Sequence, residues 1–207
     1  MPNPTLLFML KAPVASQVKT RLAARIGEEK ALEAYRALVE HLLTGLAGWQ
    51  HMEIHFAPST AGDLMSSWLG EKYTCYPQAD GDLGFRLQAA SSSAFDRGAE
   101  AVILLGGDCP YVDHSIIEAA TCALDNHDVA IGPAMDGGYY LLALKRPAPE
   151  LFQDINWSTE TVFKETRQRI LANHLSAKTL PTLEDVDDLD SWLRAEAYLK
   201  GSQNDEG

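Results

Sequence analysis

Cysteine is scarce and badly placed for cross-linking: Cys75, Cys109 and Cys122 are an odd set with no C-x-x-C pair. That excludes a disulfide framework and a zinc knuckle, and it suits a reducing compartment. Long apolar runs are missing as well. None approaches the roughly 18 residues that a membrane-spanning helix needs. The short run near the N-terminus lacks a basic flank and meets Lys11 and Pro13 at once, unlike a signal peptide. Positive charge is in short supply: 17 basic against 29 acidic residues give a net charge of −12. Such a chain is repelled by nucleic-acid backbone and by anionic membrane surfaces. Neither is expected as a partner, and a cytoplasmic protein is expected. The six histidines never form H-x-x-x-H or H-E-x-x-H, so none is assigned to a metal. No internal repeat, low-complexity segment or linker stands out.

What remains is an ordinary globular composition, 46% apolar and 22% charged over 207 residues, enough to bury a core without staples. Residues 1–200 read as one domain and 201–207 as a flexible tail. Strands are expected at 5–10, 53–57, 72–76, 101–105, 128–134, 139–144 and 177–180. Helical patterns lie between them, from Val18 with a break at Gly27, and over 60–69, 85–97, 114–124, 159–172 and 186–199. The alternation predicts an α/β domain with a mixed, mostly parallel central sheet. The connection Asp136–Gly138 is too short for a helical crossover, so the strand pair it joins includes an antiparallel member.

Ligands of open α/β sheets bind outside the carboxyl ends of the strands, and four segments follow predicted strands. Residues 1–27 hold Lys11, Lys19, Arg21 and Arg25 and no acid. A strand-to-helix loop offers free N–H groups and a positive dipole end. Lys11, Lys19 and Arg21 there suit the phosphates of a nucleotide; the competing reading is a solvated basic helix face. The P-loop pattern is absent. Gly106-Gly107-Asp108-Cys109-Pro110 puts a carboxylate where Mg²⁺ or Mn²⁺ is held by acids and phosphate oxygens, or where an Asx-turn precedes proline. Cys109 reads as a packing residue. Asp136-Gly137-Gly138-Tyr139 is either a tight hairpin turn or an acceptor-binding lip. Gly81-Asp82-Leu83-Gly84-Phe85-Arg86 either meets a nucleotide, through the backbone of Gly81, Asp82 and Gly84 and the guanidinium of Arg86, or is a plain helix cap at Asp82. Finally, Glu184, Asp185, Asp187, Asp188 and Asp190 open the last helix. Acids are favoured at such an end, and one of them is a candidate second metal ligand.

Together, K-A-P…V-K-T-R-L, G-D-L-G-x-R, G-G-D-C-P, G-P-x-x-D-G-G-Y-Y-L and the closing D-V-D-D-L resemble the transferases associated with radical-SAM and selenoprotein domains. That family belongs to the nucleotide-diphospho-sugar transferase superfamily. The resemblance implies the type A glycosyltransferase fold, a three-layer α/β/α sandwich. It also implies a transferase that uses a nucleoside triphosphate or a nucleotide-sugar, a small-molecule acceptor and Mg²⁺ or Mn²⁺. Nucleotidyl transfer is slightly preferred, with glycosyl transfer and a non-catalytic nucleotide-binding protein as alternatives. Lys11, Lys19 and Arg21 match the phosphate-facing segment, and Lys19, Arg21 and Asp108 are the expected catalytic groups. Asp108 matches the metal aspartate, with Asp187, or Asp185, near the second metal position. Asp136 to Tyr140 would line the acceptor side. One departure stands out: Ala15 and Ser16 occupy the places where the family carries proline and glycine.

Overall fold

The computed structural model describes residues 3–202. Seven strands form one sheet: β1 (Thr5–Lys11), β2 (Met52–Ala57), β3 (Thr74–Pro77), β4 (Val102–Gly106), β5 (Val129–Pro133), β6 (Tyr139–Leu144) and β7 (Ala177–Thr179). Their spatial order is β3-β2-β1-β4-β6-β5-β7. Every neighbouring pair is parallel except those made by β6, which runs against both β4 and β5. The mostly parallel, mixed sheet agrees with the expectation from the alternation. The short Asp136–Gly138 turn is what reverses the chain into β6.

The helices are α1 (Thr20–Ile26), α2 (Glu28–Gly45), α3 (Gly62–Leu69), α4 (Leu83–Asp96), α5 (His114–Ala123), α6 (Val162–Ala172) and α7 (Leu189–Ser202). Gly27, at φ 91°, separates α1 from α2, a conformation open to glycine at little steric cost. Asp82 and Asp113 cap α4 and α5 by accepting the N–H of Phe85 and Ile116.

Both faces of the sheet are covered, which is why its central strands read as unbroken apolar runs. Leu6, Phe8 and Leu10 point to one face, with Ile54, Ile103 and Leu105, and pack against Tyr35, Val39 and Leu42 of α2 and Ile117 of α5. Leu7, Leu104 and Leu142 point to the other, against Leu87 and Ala90 of α4 and Ile170 of α6. A short 3₁₀ helix, Pro149–Phe152, adds Leu151 and Phe152 to that second core. It was not expected from the sequence, because a single turn carries too little periodicity. Helix α7 closes the outside of α1 and α2: Ala195 and Leu199 meet Leu38, and Trp192 meets Leu22, Ala31 and Ala34.

Some boundaries moved. The expected start of α6 at 159 became Val162, because Thr159 and Thr161 hydrogen-bond to each other and to Asn156 and Glu165 ahead of the helix. Helix α7 begins at Leu189, not 186, since 184–187 take no regular structure and Asp188 caps the helix through Ser191. Residues 201–202 of the expected tail close α7, and 203–207 lie outside the described residues.

Candidate active site

The carboxyl ends of β1, β2, β3, β4, β5 and β7 lie along one edge of the sheet, and β6 starts from it. That geometry brings the loops after these strands together. Lys11 ends β1. The chain then crosses Ser16 and Lys19, both in left-handed conformation at φ 70° and 48°, before α1 begins. The turn at Ser16 bears on the glycine that the resemblance leads one to expect there: the backbone takes this position through positive φ, and serine adopts it. Backbone of this kind is costly for a residue with a Cβ and concentrates at functional sites.

The side chain of Lys19 is almost fully buried, 4% exposed. Its ammonium pairs with Asp108 Oδ1 and donates to the carbonyl of Val186, and it lies 4.0 Å from Asp187 Oδ1. Arg21 lies 3.6 Å from the other Asp187 oxygen with a side chain 78% exposed. Two of the three predicted cations, Lys19 and Arg21, and the two predicted metal ligands, Asp108 and Asp187, therefore sit in one constellation.

A second cluster adjoins it. Asp136, Asp185 and Asp187 offer one carboxylate oxygen each, all within 4.8 Å of one another. Burial, and then the charges of Asp136, Asp187 and Asp108, push the Asp185 carboxyl up to about 7. Three backbone bonds bring these parts together. Met135 N–H donates to Leu183 O and Leu183 N–H to Pro133 O, tying the acidic segment to the end of β5. Val186 N–H donates to Asp108 O at 2.9 Å, tying it to the loop after β4. Carboxylate oxygens gathered this closely suit a hard divalent cation, so the residues present fit Mg²⁺ or Mn²⁺.

The five acids near the last helix divide by role. Asp188 caps α7 through Ser191, and Asp190 lies in its first turn. Glu184 forms a two-bond pair with Arg194. Asp185 and Asp187 face the site on either side of the fully buried Val186. Composition marks all five alike; only the alternation around Val186 separates them.

The glycine-bearing loop before α4 takes up a local framework. Asp82 caps the helix, and Arg86 Nε donates to Gly81 O at 2.9 Å, closing the turn on itself. The indole of Trp157 fills the space over Gly84, where a Cβ would come within 2.3 Å of Nε1. On the acceptor-side segment, Asp136 Oδ1 accepts the N–H of Gly138 at 2.7 Å. Gly137, at φ 92°, lies so close to Glu160 that a Cβ would stand 2.1 Å from its carbonyl oxygen. Tyr139 meets Trp157 edge-on, and its hydroxyl is buried with no partner among the described residues. The loop 154–161 thus roofs both glycine turns, a role that the sequence did not announce. Cys109 is packed in the core, and burial pushes its thiol up to about 12. A depression of about 500 Å³ lies at the opposite edge of the sheet. There Arg97 pairs with Glu53, and Glu100 accepts the N–H of Asn3, whereas the predicted site residues gather at the acidic edge, where we place the chemistry.

Fold and site together define an α/β protein of the nucleotide-diphospho-sugar transferase architecture. Residues 43–159 match a family described as an uncharacterized protein conserved in bacteria (DUF2064), and the chain belongs to that family. A candidate nucleotide-diphospho-sugar transferase from Desulfovibrio desulfuricans G20 is 34% identical, with a TM-score of 0.85 over 91% of this chain and 84% of that one. A phosphoenolpyruvate guanylyltransferase from Sphaerobacter thermophilus is 25% identical over 133 residues, which span 64% of this chain and 64% of that relative's length. Rv0371c from Mycobacterium tuberculosis H37Rv, solved in complex with manganese, shares the fold at 14% identity and a TM-score of 0.57, over 92% of this chain and 97% of its own. Among the described residues no helix is long and apolar enough to cross a membrane.

Proposed function

We propose that this protein is a divalent-cation-dependent transferase acting on a nucleoside triphosphate, which moves the nucleotidyl group to a small acceptor. The observation that carries this reading is the convergence of Lys19 and Arg21 with Asp108, Asp136, Asp185 and Asp187 at the carboxyl edge of the sheet. The name of the guanylyltransferase relative supports nucleotidyl over glycosyl transfer; that of the Desulfovibrio neighbour keeps transfer from a nucleotide-sugar as the second reading.

Lys11, Lys19 and Arg21 bind the phosphates and neutralise charge as the acceptor oxygen attacks the α-phosphorus and pyrophosphate departs. Asp136, Asp185 and Asp187 hold Mg²⁺ or Mn²⁺ beside Asp108, and the bound ion supplies Lewis-acid neutralisation of phosphate oxygens. Gly81, Asp82, Gly84 and Arg86 shape the nucleotide side, with Asp82 and Arg86 acting by fixing the turn. Gly137, Gly138 and Tyr139 line the acceptor side. Membership of the radical-SAM- and selenoprotein-associated group, one domain over residues 1–200, and a cytoplasmic setting belong to the same proposal. The first rests on the five motifs, the second on the continuous sheet, the third on cysteine usage.

A thermal-shift panel tests it. Nucleoside triphosphates with Mg²⁺ should raise Tm, because a ligand bound only by the folded state adds stability. Asp187→Asn should abolish the Mg²⁺-dependent part. Protection by nucleotide-sugars alone would move the assignment to glycosyl transfer, and no shift with either class would defeat it.

A further inference from the structure

The cationic loop leaves β1 at Lys11, and the way that end is fastened involves a residue outside every motif. Strand β1 is flanked by β2 and β4, but its pairing with β4 stops at Met9 opposite Gly106. Two residues on, Lys11 turns its N–H and C=O to that same side, beyond the last rung of the ladder. Buried backbone groups without partners are strongly disfavoured. Both are met by one side chain: Tyr35 of α2 donates its hydroxyl hydrogen to Lys11 O at 2.7 Å and accepts the Lys11 N–H at 3.0 Å. Tyr35 is 4% exposed and packs in the core beside α2 and Trp68, at a ring separation of 6.0 Å. It is close enough to the site that the charge of Asp108, added to burial, raises its phenol well above the usual range. The next residue, Ala12, is fastened on the other side by Ala57 O at 2.7 Å.

We infer that Tyr35 is a positioning residue: by holding both backbone groups of Lys11 it aims the Lys11 side chain at the phosphates, and it acts on ligand binding through that side chain alone. This rests on the nucleotide reading above. Tyr35→Phe removes one oxygen and keeps the ring, so the core packing survives.

The experiment is a double-mutant cycle on nucleotide affinity. Kd is measured calorimetrically with Mg²⁺ for whichever of GTP, CTP, ATP and UDP-glucose the wild-type protein binds most tightly. Tyr35→Phe and Lys11→Ala should each weaken binding about tenfold, and the double variant should bind no more weakly than the worse single one, since groups acting as one unit are not additive. Trp49→Phe sets the scale for a purely structural loss. It removes an indole bond to Pro4 O at the far end of β1, so it should lower Tm and leave Kd unchanged. Wild-type affinity in Tyr35→Phe, no effect of Lys11→Ala, or additive losses would each overturn the inference. A wild-type protein that binds none of the four would instead defeat the functional reading on which it stands.

Discussion

Ser16 shows a residue with a Cβ held in a backbone conformation that suits glycine. Its φ of 70° is the conformation for which glycine is suited, so Ser16→Gly should stabilise the protein by about 0.5–1 kcal/mol in denaturant unfolding, with ligand binding retained. Asp185 makes the opposite kind of statement. Its carboxyl titrates at about 7 in the fold against an ordinary 3.8. A carboxyl raised in this way binds its proton more firmly folded than unfolded, so its contribution to stability falls as pH climbs from about 4 to 7. His55 is buried with its ring held below the ordinary 6.5; that favours the fold above this pH and acts in the other direction. Comparison of Asp185→Asn with wild type cancels the His55 effect. In metal-free buffer the variant should melt higher at about pH 7.5, and the difference should vanish near pH 4. With Mn²⁺ added, the variant should lose the stabilisation that wild type gains.

At the scale of elements, the strands and helices were legible because both local signals were strong. Continuous apolar runs marked the buried strands, and Asp82 and Asp113 marked the starts of α4 and α5, where each caps. Residues 156–159 read as a cap and loop, but what the loop 154–161 does was not legible. Its task is to lie across two turns, and what reveals it is space rather than pattern: the contacts at Gly84 and Gly137. Gly137→Ala should cost about 2–3 kcal/mol in unfolding free energy, since its Cβ would meet backbone that has no rotamer to change, at a positive φ. Asp82→Ala should cost about 1 kcal/mol through loss of the α4 cap. If Asp82 also touched nucleotide directly, the variant would lose affinity beyond what its small loss of stability explains; fixing the turn alone predicts near-wild-type Kd.

At the scale of the molecule, the sequence carried the site as separate fragments. Each fragment had a competing local explanation: a helix face, an Asx-turn, a hairpin, a cap. The edge-sharing topology is what decides among them, by bringing Lys19 from one end of the chain against Asp108 and Asp187 from elsewhere. Asp136 as a neighbour of Asp185 and Asp187 was not foreseeable. A strand, a 3₁₀ turn, a helix and a further strand intervene along the chain, and the pairing of β5 with β7 and the bridge between Ala134 and Leu183 close that distance in space.

The alternation Asp185–Val186–Asp187 has a consequence for how this protein can change over time. Val186 is fully buried among Leu38, Ala195 and Leu199, while its two neighbours face the ligand side. Loss of Val186 would either leave that hydrocarbon pocket unfilled or draw a neighbouring carboxylate into it, so the spacing between the two acids is set by an aliphatic side chain that never meets the ligand.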